Sequence, residues 1–194
     1  MRQLHMIRPA QPVKIRPLPD GYRYVGFTGS AEEIADWLVI CREGLLAPDA
    51  GEESYESLIL QYPDVQATRD LFFVSAPDGK RIATLTAVSR ADGRGYIHMV
   101  GAMPVVRGKG IGHAMLSRGL EMLCQRTASE SMPDGPEILL TTDDFRLAAI
   151  KTYLDAGFLP VLVSDPESDM RTRWDAVFSA LHYPPVPFLP GERW

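Results

Sequence analysis

The sequence places a strand-like run, a glycine-rich turn and a long helical stripe directly one after another. The run YIHMVGAMP is followed by VVRGKGIGHAM, which holds three glycines and two basic residues. The apolar residues after this turn recur at helical spacing. Glycines cost conformational entropy on folding, so their accumulation at this junction indicates either an awkward turn or a ligand that approaches the backbone closely.

The remaining segments alternate between strand and helix periods. GYRYVGFTG predicts a strand, and Ser30 with Glu33 has the spacing of a capping box that begins a helix over 31–43. EESYESLILQY predicts a second helix, and the turn PDGK between two apolar runs predicts a β-hairpin. EILLTTD, FRLAAIKTYLDA and FLPVLVS predict a strand, a helix that ends at Gly157 and a last strand. The resulting order, β-α-α-β-β-β-α-β-α-β, indicates an α/β fold with a mixed sheet.

Length and composition predict one folded domain. A chain of 194 residues with 45% hydrophobic content can bury one sizeable core. Four prolines among basic residues predict an extended N-terminal arm over residues 1–20, followed by a single domain over 21–180. A proline-rich tail over 181–194 carries Phe188 and Trp194, which we expect to dock on the domain or on a second subunit of a homodimer.

Charge, hydropathy and the pattern of cysteines and histidines predict which partners and which compartment this chain has. A net charge of −5 argues against nucleic acid as the main partner, because nucleic-acid-binding proteins usually present a basic face. No stretch is long enough to span a membrane, and the N-terminus lacks the apolar region of a signal peptide. Cys41 and Cys124 are far apart and are expected to be reduced thiols, which predicts a cytoplasmic protein. Scattered histidines predict that no metal is bound.

The glycine-rich turn is suited to an anion. The first N–H groups of a helix lack intrahelical partners and carry partial positive charge, and glycines let these groups converge on a phosphate. Arg107 and Lys109 add full positive charges. A P-loop is excluded because Gly110 stands where that motif needs Ser or Thr, and His113 replaces a glycine of the dinucleotide fingerprint. The alternative is a tight turn that binds no ligand.

Three segments together resemble the GNAT superfamily of N-acetyltransferases. VVRGKGIGHAML resembles its acyl-CoA-binding motif, Gln/Arg-x-x-Gly-x-Gly/Ala, with matches at Arg107, Gly110 and Gly112. HMVGAMP is similar to the family's bulged strand, and AAIKTYLDAGF to its closing motif through Tyr153 and Gly157-Phe158. The resemblance implies a mixed, mostly antiparallel twisted sheet flanked by helices, with acetyl-CoA as co-substrate.

The same resemblance implies which residues contact acetyl-CoA. The turn would bind the pyrophosphate, and the strand backbone from Val100 to Met103 would bind the pantetheine arm. Arg146 stands where the family often has Asn, and Asp143 or Asp144 is the candidate cap for the helix that follows. The expected contact residues are Val100, Gly101, Ala102, Met103, Arg107, Gly108, Lys109, Gly110, Ile111, Gly112, His113 and Arg146.

Acetyl transfer needs a proton for the leaving thiolate and a group that receives the proton of the amine. The resemblance makes Tyr153 the candidate acid, while a core aromatic at helical spacing is the alternative. His98 is the candidate base because histidine titrates near neutrality, although a hydrogen-bonded strand histidine is an almost equal alternative. Glu137 and Asp143 are weaker candidates. Thr141 and Thr142 are expected to line the acceptor pocket or to be ordinary strand residues.

The leading hypothesis is an acetyl-CoA-dependent N-acetyltransferase that acts directly on an amine of a small molecule or peptide. The alternative is a non-catalytic acyl-CoA-binding or sensing domain on the same fold. A larger acyl chain or an O-linked acceptor is a third hypothesis. Acidic residues in the loops, such as Asp49, Glu52 and Glu53, favour a cationic amine as acceptor.

Overall fold

The computed structural model describes residues 3–127, 134–163 and 169–191. The strands in these ranges are β1 (Leu4–Arg8), β2 (Arg23–Gly26), β3 (Leu71–Ser75), β4 (Arg81–Ser89), β5 (Gly95–Ala102), β6 (Ile138–Thr142), β7 (Leu159–Leu162) and β8 (Leu189–Pro190). The helices are α1 (Ala31–Arg42), α2 (Glu52–Tyr55), α3 (Ala67–Asp70), α4 (Ile111–Thr127), α5 (Leu147–Asp155) and α6 (Met170–Leu181). A π-helical turn, Glu56–Leu60, extends α2, and a 3-10 turn, Pro104–Val106, precedes α4. No helix among the described residues is long and apolar enough to cross a membrane.

The strands form one sheet in the order β2-β3-β4-β5-β6-β1-β7-β8. Neighbours pair antiparallel except β5 with β6 and β7 with β8, which are parallel. The predicted mixed, largely antiparallel sheet flanked by helices is therefore confirmed. The hairpin of β3 and β4 and the capping box of Ser30 and Glu33 at the start of α1 are also present.

The sheet has a hydrophobic core on each face. Along β3, Phe72 and Val74 belong to one cluster and Leu71 and Phe73 to another, because successive side chains of a strand point to opposite faces. Helices α4, α5 and α6 cover the first face, and α1 and α2 cover the second. Burial on both faces explains why LFFVS is continuously apolar rather than alternating.

The N-terminal segment differs from the predicted arm over residues 1–20. Leu4–Arg8 is an interior strand that pairs antiparallel with β6 on one side and β7 on the other. All five of its residues are buried. The prolines begin at Pro9, so they follow this strand and do not prevent it. The folded unit therefore includes residues well before position 21.

The C-terminal part also contains elements outside the predicted order. Helix α6 buries Trp174 and Val177 against the sheet, and β8 pairs with β7 within the predicted tail. Trp194 lies outside the described residues. Neither Asp143 nor Asp144 caps α5: the N-cap position is Arg146, whose side chain makes no capping hydrogen bond. Asp144 is instead paired with Arg173 at 2.9 Å.

Candidate active site

Strands β5 and β6 separate at the centre of the sheet. They pair only through Gly95 with Ile138 and Tyr96 with Leu139. Beyond this point β5 also carries a bulge, because Thr84 faces Gly101 whereas Thr86 faces His98, which leaves two residues opposite Leu85. Met99 within the bulge has a φ of 48°, in the left-handed region. The bulge and the separation open the sheet between its two halves.

One side of this opening is a cleft of ≈ 570 Å³, here named the turn cleft. It lies between the end of β5, the glycine-rich turn before α4, and α5. The residues that line it are Val100, Ala102, Met103, Val106, Arg107, Gly108, Gly110, Gly112, His113, Met115, Leu116, Ala148, Ala149, Lys151, Thr152 and Tyr153.

The glycines of the turn leave its backbone uncovered beside this cleft. Gly108 and Gly110 have φ values of +73° and +75°, which side-chain-bearing residues rarely adopt. Gly112, in the first turn of α4, has no positive φ, yet a Cβ there would meet no atom within 4 Å. The N–H of Ala114 donates to the Gly110 carbonyl at 3.1 Å and begins the helical pattern, so the N–H groups at positions 111–113 have no intrahelical acceptor. The N–H groups of Arg107 and Lys109 are already bonded to carbonyls of the preceding turn. Open space above free donors fits a pyrophosphate.

Eight of the twelve predicted cofactor contacts line the turn cleft. The exceptions have visible structural reasons. Gly101 leaves room for α1, since a Cβ there would lie 3.1 Å from Ile40 Cγ2 and 3.3 Å from Leu45 Cδ1. Ile111 is fully buried in the core, and Lys109 Nζ donates to the Tyr22 hydroxyl at 3.1 Å. Arg146 lines a different space, described next.

The other side of the opening is a smaller space of ≈ 320 Å³, here named the inner cavity. Val100, Ala149 and Tyr153 line both spaces and therefore mark their junction. The other residues that line the inner cavity are Gln3, Leu45, Leu58, Tyr62, Tyr96, Ile97, His98, Met99, Thr141, Thr142 and Arg146. Two candidate catalytic residues, Tyr153 and His98, are thus on the wall of one cavity.

Tyr153 keeps its proton over a wide pH range. Burial raises the pKa of this phenol to about 12, against a smaller opposing effect of Arg146. The ring packs edge-to-face on Phe158, with centroids 6.0 Å apart, which fixes its orientation. No hydrogen bond joins its hydroxyl to another described residue, so the hydroxyl is available as a donor at the junction.

His98 is an uncharged hydrogen-bonding residue at neutral pH. Burial lowers the pKa of its imidazole to about 4. Its Nε2 lies 2.8 Å from the Leu58 carbonyl oxygen, and the Tyr62 ring stacks on it at 4.0 Å between centroids. A carbonyl oxygen only accepts hydrogen bonds, so Nε2 carries the proton and Nδ1 keeps a lone pair. A pKa this low makes His98 a weak base.

Replacing His98 by Asn should remove a pH-dependent part of the stability. Its pKa is 6.5 in an unperturbed chain and about 4 in the fold, so the unfolded state binds more protons between these values. Stability should therefore decrease as the pH falls from 6.5 to about 4, by an amount on the order of 3 kcal/mol. Urea unfolding at pH ~7 and pH ~4 measures this decrease. An equal decrease in the His98→Asn variant would contradict the assignment.

The other predicted residues divide between the cavity and its surroundings. Thr141 and Thr142 line the inner cavity, whereas Glu137 and Asp143 line neither space in the described part of the chain.

Tyr62 and Tyr96 are cavity residues that the sequence analysis missed. Tyr96 had a signal, because it lies two positions before His98 and so shares its strand face. In the described ranges no cluster of three or more His, Cys, Asp or Glu residues could hold a metal.

Comparison with known proteins agrees with this architecture. A family model described as "Acetyltransferase (GNAT) family" matches residues 31–158. The mycothiol acetyltransferase of Beutenbergia cavernae is 27% identical over 150 residues, which are 76% of this chain and 48% of that protein. The mycothiol acetyltransferase of Mycobacterium avium is 32% identical over 66 residues, which are 34% of this chain and 21% of that protein. The chain thus spans less than half the length of these curated relatives.

Solved structures share the fold at low identity. A GCN5-related N-acetyltransferase from Sphaerobacter thermophilus superimposes with a TM-score of 0.62 and 22% identity, over 82% of this chain and 49% of that one. The ribosomal-protein-S18-alanine N-acetyltransferase from Escherichia coli gives a TM-score of 0.52 and 18% identity, over 70% and 76% of the two chains. The family match covers more than half of the sequence and includes the glycine-rich turn, the bulged strand and Tyr153, so the chain belongs to the GNAT acetyltransferase family.

Proposed function

We propose that this protein transfers an acetyl group from acetyl-CoA directly to an amine of a small molecule. The observation that carries the proposal is the junction at Val100, Ala149 and Tyr153, where the cleft beside the glycine-rich turn meets a separate cavity. A two-substrate transfer needs two sites of this kind whose ends are in contact. Acetyl-CoA supplies an activated thioester at that point.

The turn cleft is the proposed site of acetyl-CoA. The N–H groups of the turn and the Arg107 guanidinium would hold the pyrophosphate, because glycines at 108, 110 and 112 leave the backbone uncovered. Beyond Tyr96, β5 is paired with β4 on one edge but not with β6 on the other, so the polar groups on the β6 side would bind the amide groups of the pantetheine arm. Apolar residues of the cleft, among them Val106, Met115 and Leu116, would exclude water from the thioester.

The chemical roles follow from the protonation states. Tyr153 holds a proton on its hydroxyl at neutral pH and would donate it to the leaving thiolate. His98 would accept a hydrogen bond from the acceptor amine through Nδ1 and so orient the nitrogen lone pair. Because the pKa of His98 is low, His98 would position the amine and would not act as the general base. The proton of the amine would pass to water in the inner cavity.

Thermal unfolding with and without acetyl-CoA tests the proposed binding site. Acetyl-CoA should raise the midpoint, since a ligand at a hundredfold excess over its Kd stabilises the folded state by about 2.7 kcal/mol. Arg107→Ala should lose most of this shift because a charge-assisted contact to phosphate is removed. Arg171→Ala is the matched control, since Arg171 is exposed on α6 and pairs with Asp175. No shift in the wild type at millimolar acetyl-CoA would contradict the proposal.

Measuring CoA thiol release with a panel of amines then distinguishes an acetyltransferase from a non-catalytic acyl-CoA-sensing domain. A protein that binds acetyl-CoA tightly and acetylates no amine would be the non-catalytic alternative. Longer acyl-CoA thioesters in the same assay test the acyl-chain preference. A cytoplasmic location and a homodimer stay predictions of the sequence.

A further inference from the structure

Arg146 is the one residue with a formal charge among the described residues that line the inner cavity. The ionisable groups beside it are neutral near pH 7, because burial lowers the pKa of His98 to about 4 and raises that of Tyr153 to about 12. Asp143, which pairs with Arg146, does not line the cavity. A ligand in this cavity therefore faces a cation and no carboxylate.

The guanidinium of Arg146 has unused hydrogen-bonding capacity. Nη2 is 2.9 Å from Asp143 Oδ2, whereas the Nε–H is buried and has no partner among the described residues. About a quarter of the Arg146 side chain (24%) is nevertheless accessible, and a guanidinium forms strong charge-assisted hydrogen bonds with a carboxylate. The Asp143 carboxylate holds the guanidinium in place from outside the cavity, and Gln3 Nε2 in turn contacts that carboxylate at 3.4 Å.

The position of Arg146 at the start of α5 is unfavourable for a cation, and Asp143 is the one carboxylate that pairs with it among the described residues. Arg146 occupies the N-cap, where Ser, Thr, Asp or Asn would satisfy a free N–H, and its side chain makes no such bond. A positive side chain at this end of a helix is repelled by the partial positive charge of the helix. An anion bound here would interact favourably with both the guanidinium and the first turn of α5.

We propose that the acceptor is a compact primary amine that carries a carboxylate, such as an amino acid, with the carboxylate bound by Arg146. This inference rests on the proposed function. The amine end would then lie toward Tyr153 and His98, and the ≈ 320 Å³ volume favours a small molecule over a peptide chain. It replaces the cationic acceptor expected from acidic loops, because Asp49, Glu52 and Glu53 do not line the cavity.

The test compares amines that differ only in this charge. L-Alanine, L-leucine and L-phenylalanine are each supplied as the free acid, the carboxamide and the decarboxylated amine, and thiol release from acetyl-CoA is measured. Values of kcat/KM are calculated from the concentration of the deprotonated amine, because the carboxylate itself changes the pKa of the amine. The best free acid should exceed its carboxamide roughly tenfold to a hundredfold, as expected for hydrogen bonds to a charged group.

Arg146→Gln should abolish this preference, because KM for the free acid should rise tenfold to a hundredfold more than KM for the carboxamide. Arg146→Lys should keep part of the preference, and Arg171→Gln, the control on α6, should keep all of it. Carboxamides or simple amines acetylated as well as the free acids would overturn this inference and leave acetyl transfer standing. A weaker Kd for acetyl-CoA in Arg146→Gln, without a change in acceptor preference, would assign Arg146 to the cofactor instead. Acetyl-CoA binding without thiol release from any amine would overturn both proposals.

Discussion

Tyr153→Phe should lower kcat by roughly a hundredfold to ten-thousandfold, the usual contribution of a positioned proton donor. The substitution removes the hydroxyl at the junction of the two spaces and keeps the ring that packs on Phe158. Stability and the Kd of acetyl-CoA should therefore be unchanged. Steady-state kinetics at saturating acetyl-CoA, with calorimetric titration of acetyl-CoA, measure the two effects separately.

A matched variant and a pH series make this prediction specific. Tyr183→Phe removes a hydroxyl that bonds to Asp155 at 3.1 Å and lines neither space, so it should retain wild-type kcat. Because the pKa of Tyr153 is about 12, wild-type activity should not decline through loss of this proton anywhere near neutral pH. Full turnover in Tyr153→Phe across the pH series would show that the thiolate takes its proton from another donor.

Gly112→Ala should separate folding from cofactor binding. The added methyl group would meet no protein atom within 4 Å, and alanine favours a helix by up to about 1 kcal/mol over glycine. The free energy of unfolding should therefore stay the same or increase. The methyl group would nevertheless occupy the space above the free N–H groups, and loss of a hydrogen bond to a charged phosphate should raise the Kd of acetyl-CoA roughly tenfold to a hundredfold.

Gly119→Ala, in the same helix, should lower stability and leave acetyl-CoA binding unchanged. Its Cβ would lie 2.8 Å from Leu85 Cδ2 in the packed core, so overpacking should cost about 1–3 kcal/mol of stability. Urea unfolding measures the stability of both variants, and calorimetry measures their Kd for acetyl-CoA. A parallel loss of stability and binding in Gly112→Ala would contradict pyrophosphate binding by the glycine-rich turn.

Local patterns were sufficient to predict the fold class and the turn. Ser30 with Glu33, the PDGK turn and the glycines ahead of α4 each determine backbone geometry through contacts within a few residues. β1 had no such signal. Its five buried residues include His5 and Arg8, which look polar in sequence, and only its pairing with β6 and β7 explains their burial.

The sequence analysis named Tyr153 and His98, and the structure places both on the wall of the inner cavity. The protonation states of these two residues could not be predicted. Their pKa values depend on burial by segments distant in sequence, such as the Leu58 carbonyl and the Tyr62 ring against His98. The location of Arg146, just before α5, depends on how that helix packs against the separated strands. Neither the pKa values nor the location of Arg146 can be deduced from spacing along the chain.

The place of β1 in the sheet has a consequence for synthesis on the ribosome. Leu4 pairs with Thr142 and His5 with Val161, so β1 can pair only after strands much further along the chain have been synthesised. Before β6 and β7 are present, the buried residues of β1 have no neighbouring strand to pair with. Closing the sheet is therefore a late, long-range event, which favours slow folding. The inner cavity is complete only after that event, because its wall includes residues on both sides of the opening.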